Sequence, residues 1–301
     1  MPEHHHGRVY HLLGVSLRTG SLYPGSDNDA QAYRDVHLLR RLAAVGCQVF
    51  DEGEVAIPSY LPHHHIPPIK NWPGPRIAWD CVSDCITPYL QRPGHVPLLI
   101  GADCSIVVGT TQALMRVYGE EVHILYVDGD IDAVAPQSER CQSAAAMALW
   151  LTTQASPFRA GPTLRPSQVT VVGWSDDLHC APMGFQSLPL ADVRRLGPGE
   201  AARHVLHAIP ASAPILLHFD IDVLHKQDMP AAYFPHANGL SLVEAQELLG
   251  TILADSRIRI VEVTEYASLR DLEQRYVSRI VELLAAGLKR PGHSGERSKG
   301  T

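Results

Sequence analysis

Positive charge is scarce in this chain. Lysine and arginine together number 25 against 32 aspartates and glutamates, a formal net charge of −7. That leaves no basic footprint for gripping a nucleic-acid backbone, so nucleic acid is excluded as a partner. Long apolar runs are missing too: no stretch approaches the roughly 18–20 residues a membrane helix needs, and no membrane association is expected. The opening "MPEHHHGRVYHLLGV" has no basic segment followed by a long apolar one, so a secretory signal is not expected. Cysteine is sparse and lacks framework spacing. Cys47, Cys81, Cys85, Cys104, Cys141 and Cys180 are scattered, which fits reduced thiols in a cytoplasmic protein better than a disulfide scaffold.

What is present describes a soluble globular protein, with 45% apolar and 19% charged residues. The 301 residues can bury the core of one large α/β domain or two small ones. No linker or internal repeat divides them, so a single domain over 1–301 is expected, with residues 1–8 and 291–301 as disordered tails. Histidine is abundant, at 17, and forms tracts in "EHHHG" (4–6) and "PHHHIPP" (63–65). Each tract lies in a polar or proline-rich stretch, where consecutive side chains do not easily converge on one ion. Neither is read as a metal site.

Apolar runs and helical spacing alternate along the chain. "VYHLLGVSL" (9–17) reads as a strand, followed by a Gly/Ser/Pro/Asn loop and one helix, "AQAYRDVHLLRRLAAVG". "CQVFDEGEV" (47–55) is a second strand, and proline-rich residues 56–77 read as a long loop. "DCVSDCITPYLQR" suggests a helix with Pro88 near its end, on which Cys81 and Cys85 share a face as core packing. From residue 96 the order is regular: strand "VPLLIGADCS", helix "SIVVGTTQALMRVYG", then strands "VHILYVDGDID", "QVTVVGWSDD" and "PILLHFDIDVL". "SLVEAQELLGTILAD" carries a capping box, with Ser241 at the N-cap and Glu244 three residues on. "IRIVEVTEY" is the last strand and "EQRYVSRIVELLAAGLK" a closing amphipathic helix. This alternation predicts a three-layer α/β/α fold around a mainly parallel sheet, whose ligand site lies beyond the carboxyl ends of the strands.

The polar clusters fall at those ends: "GADCS", "DGDID", "DID" and "VTEY". In extended chain, alternate residues share a side. Asp128, Asp130 and Asp132 would then face one cavity if the strand continues that far, as would Asp220 and Asp222. Carboxylates gathered in a low-dielectric crevice repel one another by several kcal/mol per close pair unless a cation or protons intervene. Oxygen-rich sites suit hard divalent ions such as Mn²⁺ or Mg²⁺. Cys104 stands between Asp103 and Ser105 at the same rim; a metal-bound thiolate and a packing role both suit it there.

Taken together, these blocks resemble the arginase–agmatinase–formiminoglutamase family, the ureohydrolases. "GADCS" is similar to that family's Gly-Gly-Asp-His-Ser block and "VDGDID" to its Asp-Ala-His-x-Asp block. "HFDIDVLHKQDMPA" resembles its Phe-Asp-x-Asp-x-x-Asp-Pro block, and "VEVTEY" the late block that ends in a functional Glu. The resemblance spans nearly the whole chain. It implies an arginase-like fold, a binuclear manganese site and hydrolysis of a guanidino C–N bond in a linear amidine by a metal-bridging hydroxide. Carried over by position, the first Mn²⁺ would take Cys104, Asp128, Asp132 and Asp220. The second would take Asp130, Asp128, Asp220 and Asp222. Asp132 matches the residue that orients the hydroxide and handles its proton, and Glu265 the carboxylate that holds the substrate's cationic group. The resemblance further implies a homo-oligomer, trimeric or hexameric.

The departures bear on chemistry. Cys104 and Asp130 occupy the positions of the two usual histidine ligands, Ala145 falls near the place of a proton-shuttling histidine, and His225 follows the third block where Asp is typical. Five carboxylates and one thiolate carry six negative charges against the four of two divalent ions. More anionic ligands make a weaker Lewis acid and a less acidic water, so one or both ion sites are expected to be weakened. The leading expectation is a metal-dependent hydrolase of a small cationic guanidino compound, such as a modified or N-hydroxylated arginine. A less basic leaving group needs less help from a general acid. The alternative is a catalytically impaired member that serves as a ligand-binding or scaffolding protein. A single-ion, deacetylase-like hydrolase would need adjacent histidines at a strand end, and none is found.

Overall fold

Among the described residues eight strands join in one sheet in the order β2-β1-β3-β8-β7-β4-β5-β6, and every pairing between neighbours is parallel. The computed structural model describes residues 7–16, 18–22, 25, 28–58, 61, 64–175 and 183–289. The strands are β1 (Val9–Val15), β2 (Gln48–Glu54), β3 (His95–Gly101), β4 (His123–Val127), β5 (Val169–Val172), β6 (Gln186–Leu188), β7 (Ile215–Asp220) and β8 (Ile258–Thr264). The helices are α1 (Asp29–Asp35), α2 (Leu38–Ala44), α3 (Gly74–Leu90), α4 (Ile106–Tyr118), α5 (Ala148–Thr153), α6 (Leu190–Leu196), α7 (Pro198–Ala208), α8 (Leu242–Leu253) and α9 (Arg275–Gly287).

Alternation along the strands builds two cores. Val96, Leu98 and Ile100 of β3 and Leu217 and Phe219 of β7 pack with α1, α2 and α6–α9, whereas Leu99 and Leu216 pack with α3, α4 and α5. Both faces are covered, which is why the central strands read as nearly continuous apolar runs. The three-layer architecture expected from the sequence is the observed one. Among the described residues no helix is long and apolar enough to cross a membrane.

Several elements differ from expectation. The helix read across residues 30–46 is two helices, broken where His37 adopts φ 62°. Each piece buries its own apolar positions, Ala30 and Tyr33 from α1 and Leu38 and Leu42 from α2. Helix α3 begins at Gly74, inside the expected loop, with a proline in its first turn, where the missing N–H is no loss. The stretch 183–213, which had no assignment, forms β6, α6 and α7. The capping box of α8 forms as expected: Glu244 N donates to Ser241 Oγ at 3.2 Å and Ser241 N to Glu244 Oε2 at 2.8 Å. His4–His6, His63, Cys180, the expected strand end at Asp176 and Asp177, and the tail 291–301 lie outside the described residues.

Topology positions the site. β3, β8, β7 and β4 are consecutive across the middle of the sheet, so the segments that leave their carboxyl ends meet over one edge.

Candidate metal centre

Four central strands each deliver one acidic or sulfur group. Cys104 follows β3, Asp128 follows β4, Asp220 ends β7 and Glu265 follows β8. All four are buried, each no more than 2% exposed. Left-handed backbone recurs among these segments, at Ala102 (φ 66°), Asp132 (φ 50°) and Glu265 (φ 63°). Non-glycine residues in that region cost of order 1–3 kcal/mol each and cluster where function holds them.

Strand alternation does not gather the aspartates as the sequence suggested, because β4 stops at Val127 and β7 at Asp220. Tight turns do so instead. Asp130 N donates to Asp128 Oδ1 at 2.6 Å, and Asp222 N donates to Asp220 Oδ1 at 2.7 Å. Gly129 N donates to Asp222 Oδ1 at 3.1 Å, tying the two loops together. Each of these backbone bonds occupies an Oδ1 atom, which leaves the Oδ2 atoms of Asp128, Asp220 and Asp222 for the centre.

Among the described residues two donor clusters result. In the first, single ligand atoms of Cys104, Asp128, His218 and Asp220 all lie within 4.8 Å of one another. Cys104 Sγ is 2.6 Å from Asp220 Oδ2 and 4.0 Å from Asp128 Oδ2. His218, fully buried, is held through Nδ1 by Glu262 Oε1 at 2.7 Å, and its Nε2 sits 3.9 Å from Asp128 Oδ2. In the second cluster Asp130, Asp222 and His236 meet. His236 Nε2 is 3.4 Å from Asp130 Oδ2 and 3.6 Å from Asp222 Oδ2.

Asp132 belongs to neither cluster. Its Oδ2 accepts a 2.7 Å hydrogen bond from the Tyr126 hydroxyl, whose ring stacks on His218 at 4.1 Å. It opens on the same cavity of about 160 Å³, which Cys104, Asp130, Asp220, Asp222 and Glu265 also line. Glu265 accepts from Cys104 N at 3.2 Å through Oε1, while Oε2 is buried without a hydrogen-bond partner. Leu22, Ser143, Ala145, Ala146 and Phe234 complete the wall, and Ala145 brings no proton-transfer group to it. His225 points elsewhere, with its Nδ1 accepting from Gln227 N at 3.1 Å.

The electrostatics call for positive charge. Burial, then the neighbouring Asp222 and Asp220, push the Asp128 carboxyl well above its usual range. Burial followed by Asp222 does the same to Asp220, burial followed by Asp103 to Glu265, and burial followed by Asp130 to Asp132. Burial and then Asp220 drive the Cys104 thiol upward. His236 moves to about 10 because the Asp130 carboxylate, and then that of Asp222, stabilise its cation. Two imidazoles stand beside these aspartates, His218 next to Asp128 and His236 next to Asp130 and Asp222. A mixed set of sulfur, imidazole and carboxylate donors converges around unsatisfied lone pairs, which fits divalent metal ions. Cys104, Asp128 and Asp220 would hold one ion, and Asp130 and Asp222 a second.

Sequence reasoning had not identified Tyr126, His218 or His236. The first two lie two residues before Asp128 and Asp220, on the same faces of their strands, so their positions were readable from alternation. His236 lies in a returning loop, with no local signal.

A model of the arginase family matches residues 9–288. An arginase from Bacillus subtilis is 21% identical over 284 residues, covering 91% of this chain and 95% of that protein. An N(omega)-hydroxy-L-arginine amidinohydrolase from Streptomyces lavendulae is 29% identical over 194 residues, covering 64% of this chain and 68% of that protein. Among solved structures, arginase from Bacillus subtilis superposes with a TM-score of 0.80 at 20% identity, over 94% of this chain and 99% of that chain. At that identity the likeness establishes the shared fold.

Proposed function

The chain belongs to the arginase family, and we propose that it is a manganese-dependent amidinohydrolase of a small cationic guanidino compound. The observation that carries this reading is the cavity beside the two donor clusters, lined by Glu265, one of whose carboxylate oxygens is buried without a hydrogen-bond partner. Glu265 binds the substrate's cationic group, and the surrounding carboxylates concentrate cations in the crevice. When bound, divalent ions supply a water acidified enough to act as nucleophile near neutral pH. Asp132, oriented by the Tyr126 hydroxyl on the wall of the same cavity, would hold the proton that hydrolysis releases there. Ala145 brings no second proton donor toward the departing amine. A less basic leaving group suits such a site, so an N-hydroxylated arginine is favoured over arginine itself. The relative named for N(omega)-hydroxy-L-arginine supports the same substrate class. We place the enzyme in the cytoplasm, where Cys104 stays reduced, and as a homo-oligomer in keeping with its family.

One observation favours a second reading, in which the protein is a catalytically impaired scaffold. His236 stands beside Asp130 and Asp222, which stabilise its cation, and as an imidazolium it would offset part of their charge. A panel of cationic guanidines incubated with the Mn²⁺-supplemented protein separates the two. Release of urea or hydroxyurea from at least one member, with N-hydroxylated guanidines ahead of arginine, is expected. No release from any member by protein that retains metal would establish the scaffold.

A further inference from the structure

His236 lies outside the four sequence blocks that define the site, yet its ring reaches the centre. Its Nε2 is buried and makes no aligned hydrogen bond. The distances of 3.4 and 3.6 Å to the Oδ2 atoms of Asp130 and Asp222 are too long for hydrogen bonds of normal length. They match the separations between ligands of one ion: donors about 2.1–2.2 Å from a metal stand about 3.0–3.6 Å apart in octahedral or tetrahedral geometry. We propose that His236 is a direct ligand of the second metal ion, together with Asp130 and Asp222. This assignment rests on the reading of the site as a metal centre and says where its imidazole comes from.

The backbone is built to deliver that ring. After Asp222 the chain runs outward and folds back, with Lys226 N donating to His236 O at 2.8 Å and His225 N to Leu240 O at 2.8 Å. His236 therefore sits on a loop pinned across its base, not on a free surface segment. The ring then lies against Gly129. A Cβ at that position would come within 2.6 Å of His236 Cδ2 and 3.0 Å of Asp222 O. Gly129 is not among the residues held at positive φ, so its own backbone conformation does not demand glycine there. The imidazole, at the shortest approach, and the Asp222 oxygens behind it leave no room for a side chain. The Asp-Ala-His pattern that "VDGD" resembles would put a methyl group where His236 packs and an imidazole where Asp130 stands. Gly129, Asp130 and His236 make one coordinated exchange: the methyl goes, a carboxylate takes the local position, and the nitrogen donor arrives from the loop beyond β7. Once the ion displaces its proton, His236 gives the second site a neutral donor, which moderates the excess of anionic ligands.

The test is metal binding by the full chain, stripped of metal and titrated with Mn²⁺, with free ion followed by electron paramagnetic resonance and bound metal by elemental analysis. Two ions per wild-type chain are expected. His236→Ala should keep one and weaken the other at least 10-fold, a loss typical of damaged metal sites. Gly129→Ala should weaken the same ion by displacing the ring, while Asp130→His added to His236→Ala should restore it from the other side. Thermal denaturation of the metal-free variants checks that each is folded, and the Asp130→His double variant carries the test if His236→Ala is not. Two ions in His236→Ala with unchanged affinity would overturn the assignment and leave the metalloenzyme reading standing. A wild-type chain that binds a single ion, with His236 acting as a cation, would also overturn it. No ion in the wild-type chain would instead remove the metal centre itself.

Discussion

Replacing Tyr126 by phenylalanine isolates one hydrogen bond. The tyrosine is fully buried, its hydroxyl donates to Asp132 Oδ2 at 2.7 Å, and its ring stacks on His218 with an interplanar angle of 4°. Tyr126→Phe keeps the ring and the stack and removes only the donor. A hydrogen bond to a charged group is worth about 1.5–3 kcal/mol. If the bond orients Asp132 for proton transfer, that energy is lost in the transition state, and kcat should fall roughly 10- to 100-fold. Stability should change far less, by about 1 kcal/mol, because Asp132 opens on the cavity and water can replace the hydroxyl. KM and metal content should stay close to wild type, since neither Glu265 nor the donor clusters are touched. Steady-state kinetics on an accepted guanidine, with urea denaturation alongside, reads all of these quantities. A folded, metal-replete Tyr126→Phe enzyme with kcat within twofold of wild type would refute the role given to Asp132.

Two further predictions concern stability. His123 is buried on β4, with Nε2 2.8 Å from Thr170 Oγ1, and burial, then the charge of Arg257, lower its pKa to about 4. Between the unfolded value of 6.5 and about 4 the unfolded chain binds a proton that the folded one refuses. This contribution is therefore full above pH 6.5 and is lost on acidification, by roughly 3 kcal/mol in all. His123→Gln should flatten that limb of the stability–pH curve, and an unchanged slope in denaturant melts would argue against it. Asp271, near the start of α9, accepts from Arg275 N, Tyr276 N and Val277 N at 2.9 Å each and from the Tyr266 hydroxyl at 3.0 Å. Asp271→Ala strands those donors and should cost roughly 3 kcal/mol by urea denaturation. A cost below about 1 kcal/mol would mean that water reaches them.

Local order along the chain was enough to determine the class of fold. Alternating strands and helices dictate a parallel sheet covered on both faces, and the polar residues that close each apolar run then fall at its carboxyl edge. Cys104, Asp128, Asp220 and Glu265 were readable for that reason, as was the capping box at Ser241, which spans three residues. Spacing within an element tells which way a side chain leaves its own strand or helix. It does not report the distance to another element. Only packing set β3 beside β8 and β7 beside β4, and only that order brings Cys104 within 2.6 Å of Asp220, 116 residues away. The break at His37 and the return of the loop that carries His236 were likewise decided by the tertiary structure. In each, a backbone conformation is held by contacts that no local pattern encodes.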